Sequence, residues 1–197
     1  KDMYLKNNKI LIILIFFFIL LTKSAISNEK NIIDLINYLN SLKNFKVSFI
    51  QDDIENISEG SISIGKQRVR IDYFEPSKIL IILSENKGMY YNYELDEDEF
   101  FSTKKTSAWF FFEIFKNPEF FINSKINYKN NNIILQKNGF FEDYSYSLKL
   151  YFEDKPLIIR KIELNYENSL INLSFFNHNY DQSFKKNFFK LINPNFF

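Results

Sequence analysis

Side chains suited to bond chemistry are sparse in this sequence and poorly placed for it. The only histidine is His178, set in Asn177-His178-Asn179-Tyr180-Asp181, a polar stretch in which an imidazole is expected to be solvated rather than aligned with a nucleophile. No Gly-x-Ser-x-Gly, no P-loop and no His-rich metal spacing occurs. The absence of cysteine removes thiol catalysis, thiolate metal sites and disulfide staples together. The acidic stretch Glu94-Leu95-Asp96-Glu97-Asp98-Glu99 has the charge for calcium but lacks the alternating ligands and central glycine of an EF-hand loop, and reads as a solvated hairpin turn. The expectation is a protein that is not an enzyme and uses no metal and no cofactor. With 25 basic against 24 acidic side chains it also lacks a nucleic-acid footprint.

What remains is apolar binding chemistry. Aromatics make up 19% of the chain, with 24 Phe and 12 Tyr. Phe, Tyr, Ile, Lys and Asn all have AT-rich codons, so this composition alone does not establish a lipid site. One segment stands apart: Ser107-Ala108-Trp109-Phe110-Phe111-Phe112-Glu113-Ile114-Phe115, then Lys116-Asn117-Pro118-Glu119-Phe120-Phe121. Read as a helix it is apolar nearly all round, so it must be buried against an apolar wall. Two burials are open to it, as the permanent plug of a core or as a lid over a cavity that admits an apolar guest.

The elements that would supply such a wall follow from periodicity. Ile32, Leu35, Ile36, Leu39 and Leu42 recur at helical spacing and predict one amphipathic helix over 31–42. The period then switches to two. Strands are predicted over 45–51, 60–64, 68–73, 79–83 and 89–94, and again over 132–136, 145–152, 157–166 and 170–177. Tyr146, Leu148, Leu150 and Phe152, for example, alternate with Ser145, Ser147, Lys149 and Tyr151. Short polar turns between strands exclude parallel crossovers, so a meandering antiparallel sheet is expected.

Ahead of these elements, Lys6 and Lys9 precede an unbroken apolar run of 12 residues from Ile10 to Leu21, and small residues follow at Ala25 and Ser27. A bilayer-spanning helix needs about 20 apolar residues. The layout is therefore that of a cleaved secretory signal over residues 1–27, with Met3 as the natural start and residues 1–2 as upstream read-through. Residues 28–197 are expected to form a single domain. With no cysteine to acylate, the exported protein is expected to be free of a lipid anchor.

The order of motifs from Phe45 to Phe101 resembles a known family. The helix is followed by Phe45-Lys46-Val47-Ser48-Phe49-Ile50-Gln51, then Gly60. The strand Arg68 to Tyr73 comes next and closes on Glu75-Pro76, and Gly88 then leads Met89-Tyr90-Tyr91-Asn92-Tyr93. The tail Phe188-Phe189-Lys190-Leu191-Ile192-Asn193-Pro194 is similar to a closing Phe-x-x-x-x-Pro. Together these resemble the LolA family of periplasmic lipoprotein carriers over nearly all of residues 28–197. Two positions depart from its pattern: no Pro follows a basic residue in Gly65-Lys66-Gln67-Arg68, and Asn86-Lys87-Gly88 lacks the usual Asp.

The resemblance implies a mainly β fold: a strongly curved antiparallel sheet forming an unclosed half-barrel, with the N-terminal amphipathic helix and a central aromatic lid helix over its concave face. Val47, Phe49, Ile62, Ile64, Val69, Ile71, Tyr73, Met89 and Tyr91 would line an acyl-chain cavity, although periodicity leaves open which face of each strand points inward. Trp109, Phe111, Phe112 and Phe115 would form the lid. Lys66 or Arg68 would stand for the family's latch arginine, which ties the lid by hydrogen bonds to carbonyls. Outer-membrane-destined lipoproteins would be the cargo of a periplasmic monomer, loaded by a LolCDE-type inner-membrane release complex and unloaded by a LolB-type receptor. A LolA-like module for another lipid, or a lipoprotein sensor, needs the same cavity. Exported protein is expected to begin at or near Asn28 by intact-mass measurement, and a membrane-extracted product retaining residues 10–21 would overturn the leader assignment.

Overall fold

The computed structural model describes residues 32–53, 56–130 and 132–196; the leader and its cleavage site lie outside them. Helix α1 occupies residues 32–41. Six strands follow: β1 (Phe45–Asp52), β2 (Ile57–Ile64), β3 (Val69–Glu75), β4 (Ile79–Leu83), β5 (Gly88–Asn92) and β6 (Glu97–Phe101). A connecting segment then carries helix α2 (Ala108–Lys116) between two short 3-10 turns. Five more strands complete the sheet: β7 (Lys125–Lys129), β8 (Asn132–Phe141), β9 (Tyr144–Glu153), β10 (Ile158–Tyr166) and β11 (Ser169–Asn179).

All 11 strands form one antiparallel sheet in the order β6-β5-β4-β3-β2-β1-β11-β10-β9-β8-β7. Two meanders are thus joined side by side through β1 and β11, where Phe49 pairs with Phe175. The sheet does not close on itself, and its free edges are β6 and β7. The mainly β, unclosed architecture with two helices is the one that the sequence led us to expect. Among the described residues, no helix is long and apolar enough to cross a membrane.

One face of this sheet carries the main core. Phe45, Val47 and Phe49 of β1, Ile62 and Ile64 of β2, and Val69 and Ile71 of β3 are buried there with Leu35, Ile36, Leu39 and Leu42. From the other half come Leu135, Tyr146, Leu148, Leu150, Phe152, Ile162 and Leu164. In β9 the alternation is strict, as the period of a strand with one buried face requires. In β10 it is interrupted: Ile159 is buried, and so are Ile162, Leu164 and Tyr166, because a bulge between Ile159 and Lys161 resets which side chains face inward. Side chains satisfy the Ile159 peptide groups at this irregularity. Its N–H donates to Tyr38 Oη at 3.0 Å, and His178 Nε2 lies 2.7 Å from its carbonyl oxygen. His178 is accordingly half-buried rather than solvated as the sequence suggested, and burial pushes its pKa down.

The opposite, convex face of β2 to β5 is also covered, by the C-terminal segment 182–196, here called the strap. Leu191 packs on a separate cluster of Leu80, Ile82, Met89 and Tyr91. Arg68 Nη1 donates to Phe189 O at 2.6 Å and Arg70 Nη1 to Phe188 O at 2.8 Å, while the Arg70 guanidinium lies 4.2 Å from the Phe188 ring centroid. Asn195 Nδ2 donates to Tyr91 Oη at 2.8 Å at the far end.

Two-sided coverage explains why Gly60 through Ile64 are all buried. It also explains the glycine itself: a Cβ at Gly60 would stand 2.3 Å from the Asp72 carbonyl oxygen and 2.5 Å from the Phe49 ring. The backbone of β3 cannot yield as a side chain would. Gly60→Ala is therefore expected to lose about 1–3 kcal/mol of stability by urea unfolding, and an unchanged midpoint would contradict this packing.

Candidate functional site

The site is the concave face and the helix seated in it. Phe110, Phe111, Phe112, Ile114 and Phe115 of α2 are all buried, although successive residues of a helix point about 100° apart. A helix buried through three consecutive phenylalanines must be enclosed on most of its circumference, and the half-barrel with α1 supplies the enclosure. Phe110 makes the densest aromatic contacts, with ring centroids 4.8 Å from Tyr146, 5.2 Å from Phe141 and 5.4 Å from Tyr166. Trp109 is half-buried and lies flat on Phe141 at 4.5 Å with an interplanar angle of 4°.

Polar fastenings hold the ends of the segment. On the entering side, Thr103 N–H donates to Asn86 O at 3.3 Å, and Lys104 Nζ lies 3.1 Å from Glu85 Oε1. That ion pair is exposed and weak. On the leaving side, Lys116 Nζ donates to the Gly65 carbonyl in the β2–β3 turn at 2.6 Å. Asn117 Nδ2 donates to Glu113 Oε2 at 2.7 Å, and Asn40 of α1 to Glu119 at 3.1 Å. Burial pushes Lys116 down to about 8, with the Lys43 charge adding to the shift, and burial raises Glu113.

Two openings flank the helix. At its C-terminal end a cleft of about 770 Å³ lies between Phe112, Glu113 and Lys116 and the turns 66–68 and 84–86. Near its N-terminal end a smaller cavity of about 140 Å³ is lined by Ile71, Tyr73, Ile81, Ala108, Phe111 and Leu173. At its mouth Tyr73 Oη donates to Gln51 Oε1 at 2.8 Å, and burial pushes the Tyr73 phenol up to about 12. Ligand clefts for drug-sized molecules run to about 300–1,000 Å³. The smaller cavity falls short of that range because the aromatic side chains of α2 occupy the concave face.

The expected cavity residues divide between the two faces of the sheet. Val47, Phe49, Ile62, Ile64, Val69 and Ile71 share one core with Phe111, Phe112 and Phe115, and the half-buried Tyr73 packs against it. Met89 and Tyr91 do not join them. They pair with Ile82 and Leu80, whose side chains point to the convex face beneath the strap. The strand Gly88-Met89-Tyr90-Tyr91-Asn92 is apolar on both faces, so alternation could not orient it.

The expected latch is also rearranged. Lys66 is exposed at the rim of the large cleft, and Arg68 donates to the strap rather than to the helix. The cation that ties α2 to this turn is Lys116, and the turn contributes a carbonyl. A single basic residue ending a mostly aromatic helix was the available signal, and the turn glycine supplies its acceptor.

Solved structures resemble this one to different degrees. An uncharacterised conserved protein from Thermus thermophilus matches with a TM-score of 0.54 and 9% identity, over 84% of this chain and 94% of that one. MucB matches with a TM-score of 0.48 and 10% identity, over 82% of this chain and 62% of that one. MucB in the Pseudomonas aeruginosa MucA/MucB complex matches with a TM-score of 0.48 and 10% identity, over 82% of this chain and 60% of that one. This chain therefore spans less than two thirds of those MucB chains. No family model and no curated protein matches it.

Lys116 gives a pH signature. An unfolded chain keeps the lysine proton up to the ordinary value of 10.5, whereas the folded chain releases it near 8. Between these values the unfolded state binds more protons, so this residue makes stability rise with pH. The difference in unfolding free energy between the native chain and Lys116→Met is expected to be flat below pH 7 and to grow from pH 8 to 10.5. A difference that stays flat throughout would place Lys116 in solvent.

Proposed function

We propose that this chain is a periplasmic carrier of acyl chains, in the manner of the lipoprotein carriers it resembles, with α2 as the lid over the concave face. The observation that carries this reading is the seating of a helix with five buried apolar side chains in an unclosed sheet. Fully burying a large apolar side chain is worth about 1.5–3 kcal/mol. The five buried side chains of α2 therefore contribute on the order of 8–15 kcal/mol. One sixteen-carbon chain is held by apolar surroundings with on the order of 12 kcal/mol, at about 0.8 kcal/mol per CH₂. For one acyl chain the two are matched in size, so a chain that takes the place of the helix loses little and gains little overall. A carrier that must both take up and release its cargo needs that near balance.

In this reading the half-barrel wall binds the guest, and Lys116 with the Gly65 carbonyl sets how easily the lid leaves. The large cleft beside them is where the polar part of a lipoprotein would emerge. No bond is made or broken. Loading by a LolCDE-type complex and unloading by a LolB-type receptor would supply direction, and removal of the leader would place the protein in the periplasm.

Trp109 is the only tryptophan, so its emission reports on one position. A lipopeptide or long-chain detergent below its micelle concentration is expected to shift or quench that emission saturably as the Trp109–Phe141 stack opens. Mass spectrometry of protein isolated from periplasm is expected to show intact triacylated lipoprotein at one copy per carrier. One-to-one binding without an emission change would place Trp109 outside the moving lid. Free lipid alone would favour a carrier of another lipid, and absence of binding would remove the carrier reading.

A further inference from the structure

The convex face holds a slot that the carrier reading does not use. It lies between β4 and the strap, measures about 330 Å³, and has Leu80, Ile82, Phe188 and Ile192 among its lining. Leu80 and Ile82 are buried, whereas Ile192 is 42% exposed, so the strap side of the slot presents apolar surface to water. Lys185, Lys186 and Lys190 border it, and no acidic residue occurs from Gln182 to the end of the chain.

The acids that face the strap are already engaged. Asp72 takes the Arg70 guanidinium through both oxygens at 2.7–3.0 Å. Asp98 accepts from Asn193, and Asp96 accepts from Tyr91 and Asn195. Of these only Asp72 is paired with a cation, but none of the three lines the slot, so an anion arriving there would meet lysines first. On neighbouring β2, cross-strand from Arg70 and Asp72, the buried Ser61 and Ser63 hydroxyls have no hydrogen-bond partner within the protein. A buried hydroxyl left without a partner is destabilising.

We infer that this slot is a second binding site, on the face opposite the concave one, for a single-chain anionic amphiphile: alkyl chain between β4 and the strap, acidic headgroup on Lys185 and Lys186. The chain would cover Ile192 and Phe188, and the lysines would select the sign of the headgroup.

The test uses Trp109→Phe combined with Ile192→Trp, so that the only indole lines the slot. Dodecyl phosphate below its micelle concentration is expected to shift the emission to the blue saturably, with dodecyltrimethylammonium and inorganic phosphate binding far more weakly. At about 1 kcal/mol for each lysine near an anionic surface, Lys185→Glu with Lys186→Glu should weaken dodecyl phosphate binding by at least about tenfold. The two lysines are exposed, so the fold should survive their reversal, which the unfolding midpoint would verify. Equal affinity for both amphiphiles, an affinity unchanged by the reversal, or a response equalled by inorganic phosphate overturns the assignment. Parallel titration of the native chain through Trp109 separates the faces. A responding slot beside a silent Trp109 leaves this assignment standing whatever the lid does, and a responding Trp109 beside a silent slot overturns this assignment alone.

Discussion

The burial of α2 is the contact on which the rest of the structure depends. A sheet of 11 antiparallel strands that never closes has an inner face too large for its own side chains to fill. Residues 102–124 run from edge strand β6 to edge strand β7, so the segment that fills that face also bridges the two free edges. Curvature, core and edge-to-edge connection are one arrangement. The aromatic run must be continuous because the helix meets sheet on one side, α1 on another and the β8–β9 hairpin at Trp109.

Polar contacts do little to hold this arrangement and much to position it. Lys116 offsets part of its burial cost through one short hydrogen bond to a carbonyl, and the Lys104–Glu85 pair is open to water. Apolar contact fixes the helix, while the polar contacts choose its register along the turns. The convex face reverses this balance. There, two arginines reach the backbone of a strap that has little regular structure of its own, beside the apolar contact of Leu191 with its four neighbours. The strap is thus held both through its carbonyls and through its rings, with Phe188 under Arg70 and Phe189 packed against Phe184, Phe188 and Gly65.

Much of the sheet was legible in the sequence wherever a strand has one buried face. The alternation in 145–152 became β9, and helical spacing over 31–42 became α1 over residues 32–41. Two strands escaped, β6 and β7, and for one reason. Glu97-Asp98-Glu99 and Lys125, Asn127 and Lys129 give edge strands a charged, exposed character, which protects an edge from further pairing, and leaves β6 without alternation and β7 with only Ile126 and Tyr128 to mark it. The concave wall could be read on β1 to β3, where charged and apolar residues alternate, and was lost on β5, where both faces are covered. Lys116 carries no such signal, because its acceptor is a backbone carbonyl 51 residues away. The bulge in β10 and the support it draws from Tyr38 and His178 rest on partners remote in sequence, which periodicity does not reveal.

The seam between β1 and β11 bears on how the molecule assembles. Within each meander every pairing joins sequence neighbours, so loop closure costs little. The seam instead brings Lys46 against Asn179 and Phe49 against Phe175, across most of the chain. Contacts of such separation are entropically the most expensive and slow folding. A chain emerging N-terminus first can zip β1 to β6 early, but the inner face of β1 then waits, bare, for the last strand to arrive. During that interval Val47, Phe49 and the phenylalanines of α2 are exposed together, and the nascent chain is at its stickiest just before it becomes whole.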